Sequence, residues 1–220
     1  MIIDFHIHTC FSYDSFMSPE KILSVAKKKG LDGIVVCDHN TVKGGLEVKR
    51  LNNDSNFTVI VGAEIATNAG DVTGIFLTEE IKSRNFIEVA HEIKKQGGKV
   101  ILNHPYKGHD LSLIDFSLVD FIEGFNARMT EDDNKKAVEL AKKYAIPVIA
   151  GSDAHLYAEI GNGKTYIDDW RTMQIGKTEC KTSPFFYSTI SQYIKALKKK
   201  SLKIFFSATI VYLKYLLNKL

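Results

Sequence analysis

Two short motifs of metal-ligand type lie at opposite ends of the first 155 residues, and they constrain the fold more than any other feature. His6-Ile7-His8 ends one apolar run, and Asp153-Ala154-His155 ends another. Because residues i and i+2 of a β-strand point to the same face, each motif aims two ligands in one direction. Asp38-His39, Glu64 and His104 also follow apolar runs. Ligands at the ends of successive strands are typical of an α/β barrel, which the sequence therefore predicts.

The alternation of predicted strands and helices supports a parallel sheet or barrel. Ser18 and Pro19 predict the start of a helix that Gly30 ends, because serine caps helices, proline suits their first turn and glycine follows their last. Further helices are predicted over 83–96 and 131–144. The predicted strands cover residues 2–8, 33–37, 57–65, 72–77, 99–102, 119–125 and 146–150. The loops expected to set specificity are 40–56, 105–118 and 156–180.

The charge of the chain is divided unevenly along its length. Residues 1–179 contain 21 basic and 26 acidic residues, which leaves a formal charge of about −5. The remainder, to Leu220, contains no Asp or Glu, and its lysines are Lys181, Lys195, Lys198, Lys199, Lys200, Lys203, Lys214 and Lys219. The sequence therefore predicts an acidic catalytic body over residues 1–180 and a basic, amphipathic helical tail over 181–220.

The cysteines and the N-terminus favour a cytoplasmic location. Cys10, Cys37 and Cys180 are an odd number without paired spacing, which is typical of a reduced, intracellular protein. The N-terminus lacks the pattern of a secretory signal. No run reaches the roughly 18 apolar residues of a spanning helix.

The strand-end side chains suit divalent metal ions. Histidine and carboxylate ligands without thiolates favour Zn²⁺, Mn²⁺ or Fe²⁺. A lone strand histidine is more often a packed, hydrogen-bonded residue, but five of the seven histidines lie at predicted strand ends. Such a set exceeds what one ion needs, and several ions about 3.5–4 Å apart would use it. Ions in that arrangement generate hydroxide at neutral pH and hold phosphoryl oxygens, so the pattern predicts a metal-dependent hydrolase acting on phosphate esters.

Taken in order, these segments resemble the PHP family, named for its polymerase and histidinol phosphatase members. The matching segments, which run over residues 1–165, are Asp4-Phe5-His6-Ile7-His8-Thr9, Ser12-Tyr13-Asp14-Ser15, Ser18-Pro19-Glu20, Gly30-Leu31-Asp32-Gly33-Ile34, Asp38-His39-Asn40-Thr41, Gly62-Ala63-Glu64, His104-Pro105 and Gly151-Ser152-Asp153-Ala154-His155. The resemblance implies a distorted (β/α)7 barrel of the PHP type, with the tail as a C-terminal helical extension. It also implies two or three metal ions at the carboxyl ends of the strands.

The resemblance implies a division of the metal ligands among these ions. The implied sets are His6, His8, Glu64 and Asp153 for the first ion, Asp14, His39 and His155 for the second, and Glu64 with His104 for the third. Family members often place a histidine soon after the bridging glutamate, where this chain has Asp71 between two glycines. Asp71 is therefore a candidate oxygen ligand, failing which the third site is weak or empty. Cys37 stands where the family often has threonine, and we expect it to pack rather than to bind metal.

Several residues are candidates for catalysis and substrate binding. An arginine beside a metal cluster is a natural bidentate clamp for phosphate, so Arg128 is a candidate for both catalysis and substrate binding. The alternative is that Arg128 is a surface residue paired with Glu131 or Asp132. Lys107 and His109, in the loop after His104, are further substrate-binding candidates. The catalytic candidates that would orient or shuttle protons are Asp38 and His155.

Three functions and several partners stay open at the level of sequence. The leading hypothesis is a phosphoesterase acting on a small phosphorylated metabolite or nucleotide; the alternatives are an exonuclease on DNA or RNA ends and a non-catalytic PHP module in a larger complex. A nucleic acid would require a basic groove, against which the acidic body argues mildly. Residues 185–220 fit peripheral contact with an anionic membrane, binding of a phosphate-rich polymer or of a partner subunit, or packing against the outside or the bottom of the barrel. The sequence leaves the oligomeric state undetermined.

Overall fold

One continuous sheet carries the predicted strand ends. The structure, a computed structural model, describes residues 1–169 and 173–218; Lys219 of the predicted tail and residues 170–172 of the predicted loop 156–180 lie outside them. The strands of the described residues are β1 (Ile2–Ile7), β2 (Gly33–Val36), β3 (Thr58–Thr67), β4 (Gly70–Ile75), β5 (Lys99–Leu102), β6 (Phe121–Asn126), β7 (Val148–Gly151), β8 (Gly163–Asp169) and β9 (Gln174–Cys180). Their order in the sheet is β7-β6-β5-β4-β3-β2-β1-β8-β9.

The sheet curves into the predicted barrel. The strands β1, β2 and β3 are parallel to one another, as are β5, β6 and β7. Just beyond β7, Ala154 pairs with Ile7 of β1: its N–H donates to the His6 carbonyl at 3.1 Å and its carbonyl accepts from the His8 N–H at 2.9 Å. These bonds bring the two motifs of the sequence together. The (β/α) barrel is therefore confirmed, and its carboxyl end gathers the predicted ligands.

The regular alternation of strand and helix is broken at β4, which is antiparallel to both of its neighbours. A tight turn between Thr67 and Gly70 joins it to β3. Gly70 lies in the left-handed region at a φ of 119°, which glycine adopts without strain. This hairpin accounts for the distortion of the barrel and places Asp71 opposite Ala66, close to Glu64.

Six α-helices surround or extend the sheet among the described residues, and two short 3-10 helices, Leu111–Leu113 and Phe116–Leu118, precede β6. The α-helices are α1 (Pro19–Lys28), α2 (Lys43–Leu51), α3 (Phe86–Lys95), α4 (Glu131–Tyr144), α5 (Phe185–Lys198) and α6 (Leu202–Leu217). The buried faces of α1 to α4 pack on the sheet because apolar side chains recur with a helical period; Ile22, Leu23 and Ala26 of α1 are examples. The helix α6 packs mainly against α5. The described part of the chain contains no helix that is both long and apolar enough to cross a membrane.

Local capping decides where the helices begin. Asn85 caps α3 by accepting from the N–H groups of Ile87 and Glu88, so this helix begins three residues after the predicted 83. Thr130 caps α4 by accepting from the Asp133 N–H, at the predicted boundary. Ser18 occupies the cap position of α1, but its side chain makes no capping hydrogen bond.

Two of the predicted loops contain regular structure. Residues 40–56 include α2, whose Gly44-Gly45 start disfavours a helix by intrinsic propensity. Glycine is required at position 44, since a Cβ atom there would lie 1.8 Å from Asp38 Oδ2. Residues 156–180 include β8 and β9, a hairpin that joins the sheet beside β1. Tertiary packing thus outweighs local sequence preference in both segments.

Candidate metal centre

Nine side chains proposed as metal ligands converge at the carboxyl end of the barrel. The structure brings together His6, His8, Asp14, His39, Glu64, Asp71, His104, Asp153 and His155. Apart from His39 and Asp71, which are partly buried, these side chains are buried. Charged groups are rarely buried unless they are paired or bind a metal, so this concentration marks a site rather than a packed core.

The first group of ligands surrounds the space between β1 and β7. The Nε2 atoms of His6 and His8 lie 3.1 Å apart. Glu64 Oε2 lies 3.6 and 3.4 Å from them, and Asp153 Oδ1 lies at the same two distances. Four ligand atoms therefore face one another, in the combination that the family resemblance implies for the first ion.

The second group lies on the other side of His8. Asp14 Oδ2 is 3.2 Å from His39 Nε2, and Asp14 Oδ1 is 3.2 Å from His155 Nε2. The rings of His8 and His155 have centroids 4.1 Å apart, and His8, His39 and His155 each offer a nitrogen to one shared space. Asp14 thus joins two histidines that are 116 positions apart in the chain.

The third group includes the aspartate that replaces the expected histidine. Glu64, Asp71 and His104 each direct a ligand atom to a common space, and His104 Nε2 lies 3.0 Å from Glu64 Oε1. Burial, reinforced by the charge of Glu64, raises the pKa of Asp71, as expected for a carboxyl group held against another one. Asp71 is therefore placed where an oxygen ligand is needed.

The hydrogen-bond partners of three histidines suit metal binding. The Nδ1–H groups of His6, His8 and His155 can donate to Glu123 Oε1, Ser12 Oγ and the Asp153 carbonyl at 2.9, 3.1 and 2.8 Å. These bonds leave the lone pair of each Nε2 facing the cluster. The Nε2 atoms of His6 and His8 lie 3.1 Å apart, so either a proton or a metal ion must lie between them. In addition, Glu64 Oε2 is buried with His39 Nδ1 2.9 Å away but without a well-aligned hydrogen bond, so the residues present fit a divalent metal.

The surroundings of His8 and His39 shift the pKa values of the two rings in opposite directions. Burial, with the rings of His155 and His39 beside it, lowers the pKa of His8 to about 3. Burial also opposes protonation of His39, but Glu64 and Asp14 outweigh it and raise the pKa of His39 to about 10. The carboxylates therefore attract positive charge strongly enough to hold a proton on a buried ring, and a metal ion would supply that charge instead.

Sequence reasoning missed Glu123, which lies on β6 and is buried. Its Oε1 accepts from His6, while its Oε2 accepts from the His104 N–H at 3.0 Å and from Asn126 Nδ2 at 2.9 Å. A carboxylate behind a metal-binding histidine fixes the orientation and tautomer of the ring. A glutamate inside an apolar strand was the signal that could have identified it.

Asp38, predicted as a catalytic residue, is fully buried behind the cluster. It accepts hydrogen bonds from the Thr9 N–H at 2.7 Å, from Thr9 Oγ1 at 2.7 Å and from Ser12 Oγ at 2.6 Å. Ser12 in turn accepts from His8. Asp38 therefore contacts Ser12, and Ser12 contacts His8, so Asp38 can orient His8 without facing the metal-ligand atoms itself.

Two of the ligands lie on left-handed backbone. Asp153 has a φ of 52° and His104 a φ of 23°, a region that non-glycine residues rarely occupy. Strain of this kind costs on the order of 1–3 kcal/mol and persists where the surroundings hold it in place. At these two positions the backbone conformation sets the direction of a candidate ligand side chain.

The candidate substrate-binding residues occupy different surroundings. Lys107 Nζ lies 3.8 Å from Asp153 Oδ2, and its side chain is 55% exposed at the mouth of the site. His109 lies beside the third group, with Nε2 2.9 Å from the Asp71 carbonyl. Arg128 is buried, and its Nε and Nη2 are bound to Glu159 at 2.8 and 2.6 Å. The surface pairing of Arg128 with Glu131 or Asp132 is therefore replaced by a buried, bidentate ion pair with Glu159.

Cys37 lies among the apolar side chains inside the barrel. Its Sγ is 3.9 Å from the Ile7 carbonyl, and burial raises the pKa of the thiol. A protonated thiol is a poor metal ligand, which agrees with its expected role in packing.

Helix α5 of the predicted tail contacts the ligand end of the barrel rather than its bottom. Lys198 Nζ of α5 donates to the carbonyls of Cys10, Ser12 and Ser15, each at 2.7 Å. Arg128 Nη2 also donates to Ser191 Oγ of α5 at 2.8 Å. The predicted tail therefore supports the loop that carries Asp14.

Comparison with known proteins identifies relatives of both sequence and fold. A family model described as PHP-associated matches residues 131–174. MJ1587, an uncharacterized protein of Methanocaldococcus jannaschii, is 41% identical over 141 residues, which are 58% of this chain and 82% of the relative. At that identity and coverage the two proteins are members of one family.

Two solved structures share the barrel. One is a two-domain protein from Bacteroides vulgatus that contains a predicted PHP-like metal-dependent phosphoesterase. It has a TM-score of 0.64 and 21% sequence identity, and the match covers 76% of this chain and 58% of the Bacteroides chain. This chain therefore spans little more than half the length of that protein. An amidohydrolase from Chromobacterium violaceum, with bound sulfate and no metal, has a TM-score of 0.60 and 14% identity over 82% of this chain and 93% of its own. At these identities the likeness establishes the fold.

Proposed function

The chain belongs to the PHP family, and on that premise we propose that it is a hydrolase that cleaves phosphate esters with the help of two or three divalent metal ions. One observation carries the proposal. The Nε2 atoms of His6 and His8 lie 3.1 Å apart, each within 3.6 Å of both Glu64 Oε2 and Asp153 Oδ1. Ions held there would supply an activated water and neutralise charge on the phosphoryl oxygens.

Metal binding, phosphate binding and proton transfer would be carried out by different residues. The implied ligands are buried, and Glu123 and Asp38 orient His6 and His8 from behind. Lys107 reaches over the mouth of the site, so its ammonium group is available to bind a phosphate and to exclude neutral substrates. We propose that His155, which faces Asp14 at the edge of the cluster, exchanges a proton with the substrate when it is not held as a ligand.

Arg128 has a place in the proposal as a source of fixed positive charge. Glu159 orients its guanidinium group, and the charges of Asp153 and Asp14 contribute to holding it protonated. Because its Nε and Nη2 are already bound, we assign it a supporting role at the phosphate and give the main contact to Lys107. His109, held by the Asp71 carbonyl, borders the opposite side.

An exonuclease is the second candidate, and a specific feature favours it. The Nζ atoms of Lys195 and Lys199 lie 4.7 and 4.4 Å from the centre of the Tyr13 ring, which stacks on His39 at 4.4 Å. A basic rim held beside the candidate metal site is what the phosphate backbone of a nucleic-acid end would contact. The acidic body limits how far such a contact could extend.

The test is a substrate screen of the protein loaded with Mn²⁺, Zn²⁺ or Fe²⁺. We expect release of phosphate from p-nitrophenyl phosphate, sugar phosphates, nucleotides or histidinol phosphate, and no release with Asp153→Asn. Asp132→Asn, a change at a 70% exposed carboxylate on α4, is the matched control and should leave the rate unchanged. Cleavage of short oligonucleotides alone would favour the exonuclease. Metal binding without any turnover would favour the non-catalytic module, and turnover of amides alone would contradict the proposal.

A further inference from the structure

Helix α6 carries a stripe of exposed apolar side chains. Leu202, Phe206, Ile210, Leu213 and Leu217 are 74, 59, 54, 53 and 69% exposed. At 100° per residue these positions fall within an arc of about 80°, so they form one continuous face along all of α6. A contiguous apolar surface of this kind marks an interaction site rather than ordinary scatter.

The opposite face of α6 packs against α5. Ala208 is buried there, the ring of Tyr215 stacks on Phe185 at 4.2 Å, and Tyr193 and Thr209 share a hydrogen bond of 3.0 Å. The helix is therefore held in one orientation, with the apolar stripe left on its solvent-facing side. This is the reverse of what a helix on a water-facing surface should show.

Positive charge borders the exposed stripe on one side. Lys203 and Lys214 fall about 20–40° beyond its edge by the same helical geometry. Next to them a groove of about 510 Å³ opens between α5 and α6, with Lys195 and Lys203 among its lining residues and Ile204, Ala208 and Val211 forming its apolar wall. Residues 181–218 contain no Asp or Glu, so nothing on this surface neutralises the lysines.

We propose that α6 docks on an anionic lipid bilayer, with its apolar stripe in the interface and its lysines at the phosphate groups of the lipids. The charge decides between this partner and a second copy of the chain, since pairing two tails would bring two sets of unneutralised lysines together. A bilayer with anionic lipids offers both an apolar layer and negative charge. The helix, about 24 Å long at 1.5 Å per residue, would lie along the surface.

Because α5 is attached to the barrel, a membrane-docked α6 would hold the candidate metal centre at a fixed position relative to the membrane. Lys198 of α5 binds the loop 10–15, and Ser191 of α5 binds Arg128. Removal of the whole tail would therefore damage the site as well as the membrane contact. Substitutions on the exposed face of α6 avoid that difficulty, because they touch neither contact.

The experiment is flotation of the full chain with vesicles of phosphatidylcholine, with or without about 30% phosphatidylglycerol. We expect the protein to float with the anionic vesicles, to remain behind with the neutral ones, and to be released as salt is raised. The variant F206S/I210S/L213S and the variant K203E/K214E should each lose at least about ten-fold in bound fraction, because each removes one of the two contributions.

Matched controls separate these effects from general changes in charge or apolar surface. K135E/K142E makes the same change in charge at exposed lysines of α4, and L113S removes a 45% exposed leucine elsewhere; both should bind as the wild type does. Equal binding to neutral vesicles, or no flotation of the wild type, overturns the proposal. So does a stable dimer that F206S/I210S/L213S converts to monomer, which would assign the stripe to a second copy.

Discussion

The Nζ atom of Lys198 lies 2.7 Å from the carbonyl oxygen of Ser12, a contact between residues 186 positions apart. Two further carbonyls of the same loop, those of Cys10 and Ser15, accept from the same ammonium group. Three carbonyls around one cation fix the backbone on both sides of Asp14. The tail thus fixes the position of a candidate metal ligand that belongs to the first strand–helix connection.

We expect Lys198→Met to loosen this loop. Hydrogen bonds to a charged donor contribute about 1.5–3 kcal/mol, so the free energy of unfolding should fall by about that amount. Metal affinity should fall with it, because Asp14 would lose its fixed position. Urea unfolding and metal titration measure the two effects. Lys200→Met, at an exposed position just beyond α5, is the control, and equal losses in both variants would contradict the assignment.

Glu123→Gln tests the support behind His6. The amide keeps the size of the side chain but weakens the acceptor for His6 Nδ1–H, now 2.9 Å away. Loss of such a partner typically reduces metal affinity about 10–100-fold. Competition with a coloured chelator would measure the affinity, and Glu139→Gln on the exposed face of α4 serves as the control. An unchanged metal affinity would mean that Glu123 only packs beside His6 and does not support metal binding.

The contrast between Glu123 and His6 shows what the sequence can predict. His6, His8 and Asp153 were identified because they end apolar runs at a two-residue spacing, and the ends of parallel strands must meet. Glu123 lies within its run, so its contact with His6, 117 positions away, depends on register and barrel closure. The pairing of Arg128 with Glu159 and the folding of β8 and β9 likewise depend on tertiary contacts that no local pattern encodes.

Removal of metal should destabilise the protein. Without ions, the buried carboxylates of Asp14, Glu64 and Asp153 lack the positive charge that a bound metal would supply. A ligand at 100 times its Kd adds about 2.7 kcal/mol to the folded state, so treatment with a chelator should lower Tm by several degrees. Addition of Mn²⁺ or Zn²⁺ should restore it. His8→Ala provides the comparison, since its Tm should respond much less to metal; an equal response in both proteins would argue against this site.

The roles of Arg128 and Glu159 can be distinguished by substituting each residue in turn. Arg128→Met leaves the Glu159 carboxylate buried without its cation, which should cost about 3–5 kcal/mol of stability. It also removes a positive charge near the phosphate, so KM for the phosphate ester should rise. Glu159→Gln weakens the same ion pair but keeps the guanidinium charge, and we expect a loss of stability with little change in KM. Steady-state kinetics at a temperature where both variants are folded provide the measurement. If KM rises equally in the two variants, Arg128 acts only by positioning the loop around His155, whose N–H donates to Glu159.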